Sequence, residues 1–208
     1  MLHPSRRGVC LVISAPSGAG KSTIANALRA SEPALKNSIS VTTRNPRPGE
    51  VDGVHYHFRS MEAFRTMANN GELLEWAEVF GRGYGTPRAP VEEALTQGYD
   101  MVFDIDWQGH RLLKKALPSD VVSIFVLPPS IEELERRLCN RNSDDQAEIA
   151  KRMQAAFDEI SHWHEFDHTV INSDLDTAIS QAKSILTAAR LSTARQKNLF
   201  HFIDSFKK

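Results

Sequence analysis

Five apolar residues, Val9-Cys10-Leu11-Val12-Ile13, run into Ala15-Pro16-Ser17-Gly18-Ala19-Gly20-Lys21-Ser22-Thr23, and a helical pattern begins at once behind them. This order constrains the rest of the chain more than any other feature does. Glycines at 18 and 20 let the backbone curl so that successive N–H groups point inward, Lys21 supplies a positive charge, and the Ser22 hydroxyl suits a Mg²⁺ ion. The chemistry is that of cradling the phosphates of a nucleoside triphosphate. Ala15 stands where the usual G-x-x-x-x-G-K-[ST] pattern has its first glycine, a position alanine can fill with an ordinary negative φ. A glycine turn that binds nothing would have no need of strand, loop, Lys-Ser-Thr and helix in that order.

Length and charge bound the remaining choices. The chain has 208 residues, 41% of them hydrophobic, enough for one compact unit with a sizeable core. Its formal net charge of −1 argues against a dedicated nucleic-acid binder, which needs an excess of Lys and Arg facing phosphates. Cys10 and Cys139 make neither a disulfide framework nor a metal pair. Arg6 and Arg7 precede only a short apolar run, and the loop's own strand already needs that run, so no signal peptide is expected. No apolar run approaches the ~18–20 residues of a membrane span. A soluble cytoplasmic protein with no membrane partner is the expectation.

Ile24, Ala27 and Leu28 carry a helical stripe that Glu32-Pro33 stops. Met101–Phe103, Val121–Leu127 and Thr169–Ile171 read as buried parallel strands with helical patterns between them. Ser130 and Glu133 form a capping box ahead of Leu134 and Leu138, Ile149, Met153, Phe157 and Ile160 recur at helical spacing, and Asp174 can cap a last long helix. Strands alternating with helices imply an α/β fold with a parallel sheet. From Val41 to about Gly85 the rhythm changes to turns and alternation, which reads as an inserted strand-rich subdomain. The polar stretch Asn140 to Gln146 suits a small lid. In the tail, Leu199, Phe202, Ile203 and Phe206 are spaced for an amphipathic helix that can dock on its own domain, the preferred reading, or on another subunit.

Two further groups carry chemistry. Asp104 and Asp106 follow an apolar strand; residues two apart share a side, so both carboxylates are expected to face the crevice at the carboxyl ends of the strands. Arg44 and Arg47, braced by Pro46 and Pro48, are expected to converge on one phosphate through their guanidinium forks, with Tyr56 and Tyr84 offering phenol donors. His162, His164 and His168 lie close together without the partners that would complete a zinc site, and read as a polar helix end.

With these residues in view the chain resembles the guanylate kinases. The resemblance runs from about Val9 to Arg190 and rests on Ala15–Thr23, Thr42-Thr43-Arg44-Asn45-Pro46-Arg47-Pro48-Gly49-Glu50, Glu75-Trp76-Ala77-Glu78-Val79, Tyr84-Gly85-Thr86, Asp104-Ile105-Asp106-Trp107-Gln108-Gly109 and Pro128-Pro129-Ser130. It implies a P-loop NTPase three-layer α/β fold, with core segments 1–39, 87–138 and 147–190, a GMP-binding subdomain over 40–86, a lid tip at 139–146 and a helical extension at 191–208. It implies phosphoryl transfer from ATP to GMP with Mg²⁺. On that resemblance Ala15, Pro16, Ser17, Gly18, Ala19, Gly20, Lys21, Ser22, Thr23 and Asn172 hold ATP, the last near the adenine. Ser40, Arg44, Arg47, Glu50, Tyr56, Glu75, Tyr84, Thr86 and Asp106 hold GMP. Ser22 and Asp104 approach the metal, and Lys21, Arg44, Arg137, Arg141 and Arg152 supply catalytic charge.

The base assignment also has a basis in bonding patterns. Guanine offers N1–H and an exocyclic amine as donors and O6 as an acceptor, so carboxylates at Glu75 and Asp106 with hydroxyls at Ser40 and Thr86 match its edge. Adenine's N1 is an acceptor and would leave buried groups unpaired.

Two positions depart from the family pattern. The lid carries Asn140-Arg141-Asn142 where Gly-Arg-Gly is usual, and Arg82-Gly83 precedes Tyr84 where Asn-Tyr is common, a change expected to alter the flexibility of that loop. Two other readings stay open: a catalytically silent guanylate-kinase-like module that binds a protein partner, and a related kinase for another phosphorylated acceptor. Monomer and homo-oligomer are both compatible with the sequence.

Overall fold

The computed structural model of the protein describes residues 5–79, 81–139 and 146–207. Its first sheet is five parallel strands: β1 (Cys10–Ser14), β2 (Leu35–Asn37), β7 (Asp100–Asp104), β8 (Val121–Leu127) and β9 (His168–Ile171), in the spatial order β2-β7-β1-β8-β9. Parallel neighbours require crossovers, which helices supply, so both faces become covered. The side chains of β1 show this division residue by residue. Leu11 and Ile13 pack with Ile24 and Leu28 of α1 (Lys21–Ser31) and Ala178, Ala182 and Leu186 of α7 (Leu175–Leu191). Cys10 and Val12 pack on the other side, with Val91 and Leu95 of α3 (Arg88–Thr96) and Leu113 of α4 (Trp107–Ala116). The result is a three-layer α/β arrangement in which β1 is buried on both faces. β1 lies between β7 and β8, so the loop leaving it opens into the crevice at the carboxyl ends of the strands.

The region from Val41 onward forms a second sheet of order β4-β3-β6-β5, from β3 (Val41–Thr42), β4 (His57–Phe58), β5 (Leu73–Val79) and β6 (Arg82–Pro87). It also contains a helix, α2 (Met61–Asn69), which the alternation reading missed. Ser60 caps it by accepting from the Ala63 N–H, and Phe64 closes a small core with Val41 and Leu73. That packing explains Gly83. The residue is buried within β6, it exchanges hydrogen bonds with Thr43, and a Cβ there would lie 2.7 Å from the Phe64 ring. Glycine at 83 serves close packing against Phe64. Leu74 reaches out of the second sheet into the core of the first.

The tail is fastened differently from the expectation. Arg195 is buried and donates to the carbonyls of Gly8 and Asp120, while Arg6 pairs with Gln196 in a β-bridge. Asp100, fully buried, accepts both guanidinium nitrogens of Arg6, the Nε of Arg190 and the Val9 N–H, all within 2.9 Å. Charge-assisted bonds at the amino ends of the strands therefore hold the extension. Of the predicted apolar stripe on the short helix α8 (Leu199–Asp204) and just beyond it, Leu199 and Phe202 are half-buried, whereas Ile203 and Phe206 remain exposed, so the protein's own domain covers the stripe only in part. No helix among the described residues is long and apolar enough to cross a membrane.

One buried group predicts a pH response. His110 of α4 is 2% exposed, stacks on Phe166 with ring centroids 4.1 Å apart, and has no hydrogen-bond partner at either ring nitrogen. Burial, reinforced by Lys114, lowers its pKa against the smaller opposing pull of Asp167 and Glu165. The unfolded chain therefore takes up the proton first as pH falls, and stability declines from about pH 6.5 downward, with a limiting slope of about 1.4 kcal/mol per pH unit for one proton. Urea unfolding at pH 7, 6 and 5 is expected to show a shallower decline for His110→Phe than for the wild type. Equal slopes would exclude His110 as the source.

Candidate active site

The loop after β1 is shaped by two left-handed glycines, Gly18 at φ 93° and Gly20 at φ 103°. Gly20 has a second reason to lack a side chain: a Cβ would sit 2.4 Å from the amide nitrogen of Asn172. That amide donates to the Ala19 carbonyl at 2.8 Å, and Arg137 donates to the Asn172 carbonyl at 3.1 Å while pairing with Glu133 at 2.7 Å. Asn172 thus braces the loop from behind, an arrangement the resemblance, with its adenine contact, did not anticipate. Ala15, in the first glycine position, turns its methyl into the core. The loop encloses a cavity of about 230 Å³ lined by Ala15–Gly18, Gly20–Thr23 and one residue from elsewhere, Glu159.

Lys21 opens α1, where the helix N-terminus favours anions. Its Nζ meets Asp104 Oδ1 at 2.7 Å, and the Ser22 hydroxyl donates to Asp104 Oδ2 at 2.7 Å. A hydroxyl and a single carboxylate, both hard oxygen donors beside an anion cradle, fit Mg²⁺, which keeps several waters and shares its shell with phosphates. No group of three His, Cys, Asp or Glu among the described residues offers a closed metal cage. His162 instead stacks on Trp107, with centroids 3.6 Å apart, and bonds Glu165.

A second cavity of about 410 Å³ meets the first at Ser22 and runs past Asp104 to Ser40 and Tyr56. Beyond its wall lies Arg44, only 9% exposed, with both terminal nitrogens donating to the Glu50 carboxylate at 2.6 Å. The guanidinium of Arg44, with help from the Arg47 backbone N–H, pulls the Glu50 carboxyl down to about 2, and Glu50 raises Arg44 in turn. The Arg44 guanidinium sits 4.9 Å from the centre of the Tyr56 ring, and Tyr84 is close enough to act on its charge. Arg47 contributes its N–H to Glu50 at 2.7 Å and leaves its side chain exposed. The two arginines are therefore not converged, and Glu50 is occupied in orienting Arg44. The reason is local: the turn braced by Pro46 and Pro48 folds Glu50 back onto the first arginine.

Glu75 and Thr86 face each other across β5 and β6, and the Thr86 hydroxyl donates to Glu75 at 2.6 Å. Burial raises the Glu75 pKa, the Thr86 bond opposes this, and Asp106 adds to the rise. Asp106 is not a strand partner of Asp104, because β7 ends at Asp104. Asp106 instead caps α4, accepting from the Gly109 N–H at 2.8 Å, and the field of its carboxylate still reaches Glu75. Arg152 lies on α6 (Gln146–Ser161). Arg141, with Asn140, Asn142 and the lid expectation attached to them, lies outside the described residues.

Glu159 is the residue that sequence reasoning missed. It accepts from the backbone N–H of Ser17 at 3.2 Å, inside the loop's own cavity. The available signal was its spacing on α6, seven residues after Arg152 and three after Ala156, which places all three on one helical face.

Residues 7–189 match the family model described as guanylate kinase. A guanylate kinase of Gluconobacter oxydans is 78% identical over 208 residues, covering all of both chains, and one of Granulibacter bethesdensis is 57% identical over 95% of this chain and 92% of its own. A crystal structure of guanylate kinase from Anaplasma phagocytophilum superposes with a TM-score of 0.77 at 37% identity, covering 97% of this chain and 96% of that one. A phosphate loop, a strand-end aspartate bonded to its lysine and serine, and a second sheet carrying Arg44 and Glu75 thus coincide with full-length likeness, and the chain belongs to the guanylate kinase family.

Proposed function

We infer that the protein transfers the terminal phosphoryl group of ATP to GMP, giving ADP and GDP. The observation that carries this reading is the meeting of two cavities at Ser22, one lined by the phosphate loop and the other running toward Ser40 and Tyr56. Donor and acceptor nucleotides bound in them would bring their phosphates together beside Lys21 and Asp104. The P–O bond to the departing ADP breaks as a phosphate oxygen of GMP takes the phosphorus. That oxygen is already anionic near neutral pH, so no general base is required.

Catalysis then rests on positioning and on charge. Lys21 and the arginines at 137, 141 and 152 neutralise the moving group; a Mg²⁺ ion held by Ser22 and Asp104 would neutralise further charge on the ATP phosphates. Arg44, oriented by Glu50, with Arg47, Tyr56 and Tyr84 takes the GMP phosphate, while Ser40, Glu75, Thr86 and Asp106 read the guanine. On this reading Arg47 swings inward when GMP binds, and residues 40–86 close as a subdomain to exclude water. A cytoplasmic setting suits the two free cysteines, Cys10 and Cys139.

The test is ADP formation from MgATP with GMP, AMP, UMP or CMP as acceptor. ADP with GMP alone, by a margin of about 10⁴ over AMP, is the expected result. Comparable rates with a pyrimidine nucleotide would assign the site to another acceptor. Binding of GMP without turnover would favour a protein-binding module.

A further inference from the structure

The loop cavity contains one carboxylate that the reaction does not use. Glu159 reaches it from α6, accepts the Ser17 N–H at 3.2 Å, and shares the cavity wall with Gly18, Gly20 and Lys21. Ala156, 1% exposed and one turn before Glu159, packs in the same core cluster as Ala15 and Ala19 of the loop, so α6 bears directly on the cradle. Loop N–H groups are built to bind anions, and at Ser17 the Glu159 carboxylate meets that need. The surroundings do not otherwise favour a charge there: burial raises the Glu159 pKa, the Ser17 N–H and Lys21 oppose the rise, and Asp106 and Asp158 add to it.

We propose that Glu159 competes with the ATP phosphates for the loop, its carboxylate accepting the Ser17 N–H and giving it up when the nucleotide binds. The proposal rests on the reading of the loop as the ATP site. A phosphate chain and a carboxylate are both anions and cannot share the same N–H groups without strong repulsion, so entry of ATP requires the Glu159–Ser17 bond to break. Glu159 therefore weakens ATP binding by competing for the Ser17 N–H. Arg152 lies two turns earlier on the same face of α6, with a charge of the opposite sign. Loading the loop with phosphate repels one end of that face and attracts the other, which makes α6 responsive to whether ATP is present.

The experiment measures dissociation constants for MgATP, tripolyphosphate and GMP by calorimetry, in wild type, Glu159→Gln and Glu159→Asp. Glu159→Gln removes the charge and keeps the size, and is expected to bind MgATP and tripolyphosphate about tenfold more tightly with GMP unchanged. Glu159→Asp keeps the charge on a shorter arm and is expected to fall between the two. Unchanged or weaker ATP binding in Glu159→Gln overturns the proposal, and so does a gain shared equally by GMP. Hydrogen exchange of the Ser17 amide in the nucleotide-free wild type needs no variant: a protected amide is expected, and exchange at the rate of an open loop overturns the proposal. If the wild type bound neither MgATP nor tripolyphosphate, the reading of the loop itself would fail, and the proposal with it.

Discussion

Lys21→Met is expected to lower the turnover number about 10³-fold while changing GMP affinity less than about threefold. Methionine keeps the length and apolar bulk of the lysine stem, so the first turn of α1 retains its packing, with Ile24, Ala25 and Leu28 buried beneath it. The substitution removes a charge whose partner is already in place, since Nζ lies 2.7 Å from Asp104 Oδ1. Without it the Asp104 carboxylate faces the transferring phosphates with one cation fewer. The consequence falls hardest where charge moves during transfer, so kcat should fall more than binding weakens. Glu75 stands on the other sheet and Arg44 in the turn that follows its strand β3, and both are untouched. Single-turnover rates with calorimetry for GMP separate the two effects. Undiminished turnover would remove Lys21 from the mechanism, and parallel loss of GMP binding would mean that α1 had been disrupted instead.

What was legible in the sequence was what local pattern encodes. The strand before the loop, the loop and α1 are contiguous, and the strands of Met101–Phe103 and Val121–Leu127 are apolar runs because both sheet faces are covered. Thr169–Ile171, expected to be buried, instead forms the edge strand β9, in which only Val170 is buried and Ile171 is 55% exposed. The fifth strand escaped notice because Leu35-Lys36-Asn37 buries only its first residue, and three residues hold no period. In the inserted region the alternation includes Val54 to Phe58, yet only His57 and Phe58 form a strand, Tyr56 makes an isolated bridge with Asp52, and Val54 lies in a turn with 60% of its surface exposed. The helix that follows had its signals in Ser60, Phe64 and Met67, set in a segment whose turn residues drew the reading elsewhere.

Within the site, residue types were legible and their pairings were not. The period-two argument for Asp104 and Asp106 held only as far as the strand did; beyond its last residue, helix capping governs where a carboxylate points. The bidentate bond of Arg44 to Glu50 spans a Pro-braced turn, and the contact of Glu159 with Ser17 spans 142 residues. The first is set by the local geometry of that turn, which residue types alone do not reveal; the second depends on how the layers stack, which no window of sequence contains. Both place a carboxylate on a group suited to a phosphate, Arg44 behind the wall of one cavity, beside Tyr56, and Ser17 in the wall of the other. With such donors already satisfied internally, binding of a phosphate there is an exchange of anions. This is the physical reason to expect Arg44 and Arg47 to come together only when the acceptor phosphate arrives.

Glu75→Gln is expected to weaken GMP binding about 10²-fold, to leave ATP affinity within about threefold, and to raise the stability of the folded protein at neutral pH. The first two effects follow from guanine's edge: a carboxylate accepts both N1–H and the exocyclic amine, whereas a carboxamide presents one oxygen and turns donors toward donors. The stability effect follows from burial, which raises the Glu75 pKa above its ordinary value with Asp106 adding to the rise. The unfolded chain ionises this group at lower pH than the folded one does. Below the ordinary carboxylate pKa the residue is neutral in both states and costs nothing; as pH rises through its folded value the native state carries the cost of a desolvated charge. Glutamine is neutral throughout and its carbonyl oxygen can keep the bond from the Thr86 hydroxyl, now 2.6 Å long. Thermal unfolding at pH 7 should therefore favour the variant, with the difference closing toward pH 4. A variant less stable at pH 7, or one losing GMP and ATP equally, would mean that Glu75 supports the second sheet and does not read the base.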